Sequence, residues 1–265
     1  MKETILNHLP TECPWGDTLY WYDTISSTNT HLKELARKGA PHGTAVLAGH
    51  QSAGRGRLGR SFHSPQGLGI YLSVLLRPQC PPQQLMHLTC AAAVAMCDAV
   101  EQVTGFRPGV KWINDLVLSR RKLGGILTEL SVDPKTGLTD YAIIGIGINC
   151  RHRSADFPPE LQSIATSLLL EGIDADPAIL AVAMLEHLFR MDRDLLSGKE
   201  KTLERYRADC IALGQDVVIC QGDDRQPGKA LDVDKEGALV VQLPDGSIKN
   251  VSSGEVSVRG LYSYI

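Results

Sequence analysis

The run Tyr141-Ala-Ile-Ile-Gly-Ile-Gly-Ile-Asn149 has no charged side chain and nothing polar between its two ends. A strand with one solvated face alternates apolar and polar residues, whereas a run apolar on both faces belongs inside a sheet that is covered on each side. The chain must therefore build a sheet with this run at its centre.

The neighbouring segments supply those parts. Residues 18–22, 44–48 and 67–77 read as strands from their β-branched and aromatic content, the third ended by Pro78, Pro81 and Pro82. Between the first two, Ser27 or Thr28 caps a helix whose Leu32, Leu35 and Ala36 form one apolar face and which Gly39 stops. Leu85, Leu88, Ala92, Ala95, Met96, Ala99 and Val103 recur at helical spacing up to Gly105. Lys111 to Asp115 closes a short extended segment, and 116–118, the basic turn Ser119-Arg120-Arg121-Lys122 and 123–130 make a hairpin, with Gly124-Gly125 allowing close approach. Asp176-Pro177 opens a helix to Leu196, and an amphipathic helix covers 199–213.

From Gly214 the composition changes to short strands at 216–220, 228–232, 238–243 and 248–251, separated by turns such as Asp245-Gly246. The expected organisation is α/β (α+β), with a larger domain over 1–213 and a small β-barrel over 214–265. A chain ending at Leu213 is expected to fold without the barrel.

The sharpest chemical feature is Gly54-Arg55-Gly56-Arg57-Leu58-Gly59-Arg60, three glycines and three arginines in seven residues, directly after the second strand. Glycines let backbone N–H groups approach a ligand, and guanidinium forks suit phosphate and carboxylate oxygens, so the loop reads as an anion clamp. The formal net charge of −3 runs against a protein devoted to nucleic acid, so anion recognition is local to a site. Lysines and arginines from separate segments, the carboxylate of Asp115 and glycine-bearing strands are the parts that nucleotide activation needs. No P-loop signature occurs. The seven cysteines are scattered without a Cys-x-x-Cys pair, which points to a reducing compartment. No apolar run reaches the roughly 18 residues of a membrane span, so a cytoplasmic protein with no membrane partner is expected.

Ser27-Thr28-Asn29, Gln51-Ser52-Ala53 with the glycine–arginine loop, Lys111-Trp-Ile-Asn-Asp115, Lys122-Leu-Gly-Gly-Ile-Leu127, Gly145-Ile-Gly-Ile-Asn149 and Gly254-Glu255-Val256 together resemble the biotin protein ligases, biotin–[acetyl-CoA carboxylase] ligase. Ile113 stands where many members have proline, and Leu58 where arginine is frequent. The resemblance implies a catalytic domain like that of class II aminoacyl-tRNA synthetases with a mixed sheet, plus an SH3-like C-terminal barrel. It implies ATP and Mg²⁺ with biotin as substrate, biotinyl-5′-AMP as intermediate, and a lysine of a biotin carboxyl carrier protein as acceptor. Carried across by position, Ser27, Thr28, Asn29, Gln51, Gly54, Arg55, Arg57, Lys122 and Gly124 bind biotin. Arg57, Arg60, Phe62, Lys111, Asn114, Asp115, Lys122 and Asn149 face ATP or the adenylate. Lys122, Lys111, Asp115 and Arg57 are the catalytic set, with Asp115 either holding Mg²⁺ or orienting the incoming amine. Fewer than about 20 residues precede the first expected strand, too few for the three-helix DNA-binding module of some members, so a monofunctional enzyme that binds no DNA is expected, as a monomer or homodimer.

Overall fold

The computed structural model describes residues 1–252 and 256–260. Gly254 and Glu255 of the last motif lie outside the described residues, and Val256 opens the final strand. In chain order the elements are α1 (Lys2–His8), β1 (Leu19–Tyr22), α2 (Thr28–Arg37), β2 (Ala45–Ala48), β3 (Gly69–Leu76), α3 (Leu88–Thr104), β4 (Gly109–Lys111), β5 (Asp115–Leu118), β6 (Arg121–Val132) and β7 (Thr139–Asn149). Helices α4 (Pro177–Arg193) and α5 (Lys199–Asp209) follow, then β8 (Asp216–Gln221), β9 (Asp224–Val233), β10 (Leu239–Gln242), β11 (Ile248–Val251) and β12 (Val256–Gly260).

The larger sheet has seven strands in the order β1-β2-β3-β7-β6-β5-β4, so the apolar run is its middle strand. Only β1 and β2 pair in parallel; the other neighbours are antiparallel. Alternation along β7 serves two cores. Tyr141 and Ile143 join Leu32 and Ala36 of α2 on one face, while Ala142, Ile144, Ile146 and Ile148 join the apolar side chains of α3 and α4 on the other. Gly145 and Gly147 continue the α2 face with no side chain, and they open the space in which the site lies.

Local chemistry fixes the element ends. Ser27 caps α2, its Oγ accepting from Thr30 N at 3.5 Å, and Gly39 takes φ 89° just beyond the helix. Asp176 caps α4 through Ala178 N at 2.7 Å. Several boundaries differ from expectation, including the end of α4 at Arg193 and the start of β9 at Asp224. Residues Pro82–Leu85 form a separate 3₁₀ turn, so α3 starts at Leu88, and α5 stops at Asp209 because Ile211 N turns to bond Val110 O at 3.0 Å. The N-terminal stretch also folds: Ile5 of α1 is fully buried, and Trp15 Nε1 donates to Leu185 O of α4 at 2.9 Å. No helix among the described residues is long and apolar enough to cross a membrane.

The smaller sheet is antiparallel, in the order β11-β10-β9-β8-β12. It docks through the turn between β9 and β10. Gly237 O accepts from Trp112 Nε1 at 3.1 Å, Glu236 pairs with Lys199 at 2.5 Å, and Val233 O accepts from Arg207 Nε at 2.7 Å. Val217, Ile219, Ala230, Val233, Leu239 and Val241 belong to the same apolar cluster as α3. The core therefore runs across Gly214, so a chain ending at Leu213 gives up part of that cluster. Such a chain loses the bond from Trp112 Nε1 to Gly237 O, worth about 0.5–1.5 kcal/mol net, and uncovers apolar side chains of the shared cluster. Its urea midpoint is expected to fall below that of the full chain; equal midpoints would show the two units to be independent.

Candidate active site

A cavity of about 550 Å³ opens over Gly145 and Gly147, walled by the start of α2, the loop after β2, the β4–β5 link and β6. Of the residues proposed from sequence, Ser27, Thr28, Asn29, Gln51, Arg55, Arg57, Arg60, Phe62, Lys111, Asn114, Asp115 and Lys122 line it. Gly54, Gly124 and Asn149 do not.

The floor is a hydrogen-bonded polar set held rigidly from behind. Gln51 Oε1 accepts from Thr28 N at 2.9 Å and from Thr28 Oγ1 at 3.1 Å, while its Nε2 donates to Ser64 Oγ at 2.9 Å. Ser73 Oγ, fully buried on β3, lies 2.8 Å from Thr28 Oγ1 and 2.6 Å from Asn29 Oδ1. Asn29 Nδ2 donates to Leu127 O at 3.3 Å and Glu129 Oε2 at 3.0 Å. Only glycine fits opposite this amide, because a Cβ on Gly145 would sit 1.9 Å from Asn29 Oδ1. At Gly147 a Cβ would meet the Phe62 ring at 2.4 Å, so that ring lies on the bare strand.

The glycine–arginine loop is a closed miniature hairpin. Phe62 N donates to Gly54 O at 2.9 Å and Gly56 N to Arg60 O at 2.7 Å. A Cβ on Gly54 would be 2.4 Å from Phe62 O, so this glycine serves the neck of the hairpin and does not face the cavity. At the tip Leu58 adopts φ 55°, ψ 39°, the left-handed region that side chains other than Gly, Asn and Asp seldom take. Arg57 turns inward, its Nη1 donating to Asn114 Oδ1 at 3.0 Å. Burial lowers its pKa, with the negative charge of Asp115 opposing that shift.

Lys122 is held at both its backbone and its ammonium. Its N–H donates to Ile164 O at 2.8 Å and its carbonyl accepts from Thr166 N at 2.8 Å, while Nζ donates to Asp115 Oδ1 at 2.5 Å. Gly125 leaves room for the lysine stem, since a Cβ there would lie 3.3 Å from Lys122 Nζ. Gly124 instead presses on β7, where a Cβ would be 2.5 Å from Gly147 O. Asn149 is buried past the cavity and donates to Thr166 O at 2.9 Å, tying down the segment that brackets Lys122. The β4–β5 link is fixed from behind: the Trp112–Ile113 peptide is cis, and Tyr206 Oη donates to Ile113 O at 3.2 Å.

Sequence reasoning passed over Ser64, Ser73, Trp112, Glu129, Leu161 and Ile164. Ser73 was detectable as a polar residue within the expected strand 67–77, where a buried polar group needs a partner, and Glu129 as a carboxylate within the expected strand 123–130. Leu161 and Ile164 line the cavity from an irregular segment that carries no periodicity. Among the described residues no three His, Cys, Asp or Glu side chains cluster as a metal site, and Asp115 is the one carboxylate in the lining.

Residues 21–149 match the family model described as the biotin/lipoate A/B protein ligase family, and residues 212–259 match that of the biotin protein ligase C-terminal domain. The chain is 37% identical to the bifunctional ligase/repressor BirA of Bacillus spizizenii, over 92% of this chain and 74% of that relative. It is 32% identical to the biotin–[acetyl-CoA-carboxylase] ligase of Mycobacterium tuberculosis, over 87% of this chain and 85% of that one. Among solved structures, the biotin protein ligase of Aquifex aeolicus in complex with biotin and ATP is similar with a TM-score of 0.77 at 29% identity, covering 92% of this chain and 99% of that one.

One buried histidine flanks the site. His152 stacks on Phe157 at 4.8 Å, 6.3 Å from the His63 ring that follows the loop, and neither of its ring nitrogens has a hydrogen-bond partner among the described residues. Burial, reinforced by His63, pushes its pKa down to about 4. Above pH 6.5 folded and unfolded chains both hold it neutral; as pH falls towards about 4 only the unfolded chain takes the proton, so stability is lost across that window. His152→Phe is expected to shrink the stability difference between pH 7 and pH 4.5 by up to about 2 kcal/mol. Urea titrations at the two pH values check this, and an equal drop in both proteins would remove His152 as a source of acid sensitivity.

Proposed function

The chain belongs to the biotin protein ligase family, and on that premise we propose which of its residues perform each step. The reaction activates biotin with ATP as biotinyl-5′-AMP and passes the biotinyl group to a protein lysine. The proposed roles rest on one observation: segments 27–29, 51–62, 111–115 and 122, far apart in sequence, meet around a single cavity. The match of 212–259 to the biotin protein ligase C-terminal domain favours biotin over lipoate, which the first family model embraces equally. It also supports a domain boundary near Gly214.

In this reading Ser27, Thr28, Asn29 and Gln51 hold the biotin ring by hydrogen bonds on the floor beside Gly145. The biotin carboxylate then points towards Lys122. One of its oxygens forms a bond to the α-phosphorus as pyrophosphate leaves, and the Lys122 ammonium offsets the charge that builds on the phosphoryl oxygens. Asp115 keeps that ammonium in place through the 2.5 Å pair. Asp115, the one carboxylate in the lining, would be the residue to hold Mg²⁺, which would supply positive charge beside the phosphates of ATP. Lys111 and Arg60 add positive charge, and Phe62 offers a ring beside the adenylate. In the second step the amine of the carrier lysine attacks the biotinyl carbonyl and AMP leaves. Asp115 is placed to orient that amine. The acceptor is a biotin carboxyl carrier protein.

Lys122→Gln keeps a polar side chain of similar reach but removes the charge. ATP–pyrophosphate exchange dependent on biotin is expected to fall by about 10²-fold or more, as for the loss of one preorganised donor. A wild-type rate would take the electrostatic role away from Lys122.

Arg57 ties the loop to Asn114 across the cavity. Biotinyl-AMP is a reactive mixed anhydride, and an open loop exposes it to water or lets it escape. A charge-assisted hydrogen bond contributes roughly 1.5–3 kcal/mol, so its loss is expected to speed adenylate release by about 10- to 100-fold. Arg57→Gly should then label lysines of a bystander such as albumin when supplied with ATP and biotin. Equal albumin labelling by wild type and variant, with adenylate formed by both, would show that Arg57 does not retain the intermediate.

A further inference from the structure

We propose that Glu129 is a positioning residue that latches the glycine–arginine loop over the site by pairing with Arg55. The carboxylate lies on β6 next to the cavity-lining Asn29 and Arg55, and gathers groups from two other elements, α2 and the loop. Its Oε1 is 2.5 Å from Lys33 Nζ of α2, its Oε2 accepts from Asn29 Nδ2 at 3.0 Å, and Arg55 Nη1 lies 3.2 Å from Oε1 and 3.3 Å from Oε2. Arg55 is the first arginine of the loop and sits in its neck, bridged to Ser61. The rest of the loop's closing bonds, Gly56 to Arg60 and Phe62 to Gly54, lie within the hairpin itself and do not hold it against the body. Arg57 to Asn114 and Arg55 to Glu129 do, one across the cavity and one at its rim.

Glu129 suits this task because its charge is secure. Burial opposes ionisation, yet the hydrogen bonds from Lys33 and Asn29 and the charges of Lys33 and Arg55 hold its pKa below the usual carboxylate range. The Glu129 side chain is 16% exposed and that of Arg55 43%. The pair is therefore of moderate strength, firm enough to bias the loop shut and weak enough to release for exchange of ligands. The same carboxylate fixes the Asn29 amide, so the state of the loop and the order of the floor share one anchor.

This inference rests on the ligase reading for its functional consequence but not for its test. Trypsin cleaves after arginine, so the rate of cutting after Arg57 and Arg60 reports loop opening directly. Glu129→Gln keeps an acceptor for Asn29 and loses the ion pair; it is expected to raise the cutting rate roughly threefold to fivefold, the upper part of the range of a partly exposed pair. It should also raise release of biotinyl-AMP while the adenylate formed in the first turnover holds. Lys33→Gln, which removes the other cation from Glu129, is expected to leave cutting within about twofold of wild type. In the rate of cutting after Arg57 and Arg60, Arg55→Gln should match Glu129→Gln, and the double variant should add nothing further, since both remove one interaction. Unchanged cutting in Glu129→Gln, additive effects in the double variant, or equal acceleration by Lys33→Gln would each overturn the latch. Should Glu129→Gln fail to fold, cutting of Arg55→Gln decides the question from the loop side. If the wild type forms no biotinyl-AMP, the ligase reading fails while the cleavage rates still judge the latch.

Discussion

The structure depends on how one strand is buried. β7 lies in the middle of seven strands and must present apolar side chains to helices on both faces, yet on one face it changes from Tyr141 and Ile143 to Gly145 and Gly147. Every other residue of a strand points the same way, so two glycines at i and i+2 remove two adjacent side chains from one face only. The opposite face keeps Ile144, Ile146 and Ile148 in the main core. A cavity is thereby opened in a packed sheet without loss of the strand that supports it. The vacated places are taken by Asn29 and the Phe62 ring, which bring α2 and the loop to the same spot.

Charge is then concentrated where the packing is absent. The whole chain carries a net −3, but the lining holds Arg55, Arg57, Arg60, Lys111 and Lys122 against the single carboxylate Asp115. Such a field costs stability when the site is empty of anions, and it is kept tolerable by pairing: Lys122 with Asp115 inside, Arg55 with Glu129 at the rim. An anionic ligand gains from charges that are already desolvated and oriented. The acidic overall balance limits this attraction to the one site and disfavours general adhesion to nucleic acid.

Much of this was legible in the sequence because it follows from period and from small residues. The run at 141–149 fixed the central strand by its lack of polar positions, Ser27 and Gly39 bounded α2, and the glycine–arginine loop identified itself by composition. What was not legible depended on tertiary contact. Asn149 and Gly124 belong to motifs of the family, but the structure turns the first towards Thr166 and presses the second on β7, and neither direction is set by local sequence. Helix α1 has too few apolar residues to announce itself and is held by the burial of Ile5 alone. Leu161 and Ile164 reach the cavity from an irregular segment, where no periodic signal exists to find them.

The walls of the site differ in how firmly they are held, and that difference matches what each must do. Lys122 is bracketed by two backbone bonds to 164–166, and Asn149 holds that segment in turn. The 111–115 link is clamped by Tyr206 from α5 and by Gly237 of the smaller sheet, which makes that sheet part of the wall although none of its residues lines the cavity. Thr28 and Asn29 are locked by the buried Ser73. These parts of the lining are thus fixed by partners behind the cavity, several of them buried, where competing water is scarce and each bond is worth more. The loop is the wall whose anchors include a partly exposed ion pair, Arg55 with Glu129, beside the inward-turned Arg57 and the Phe62 ring on Gly147. A site that admits a small acid and a nucleotide, keeps a reactive anhydride, and then admits a protein lysine needs one wall that moves against a rigid remainder, and the partition of buried and exposed anchors places that movement between Gly54 and Phe62.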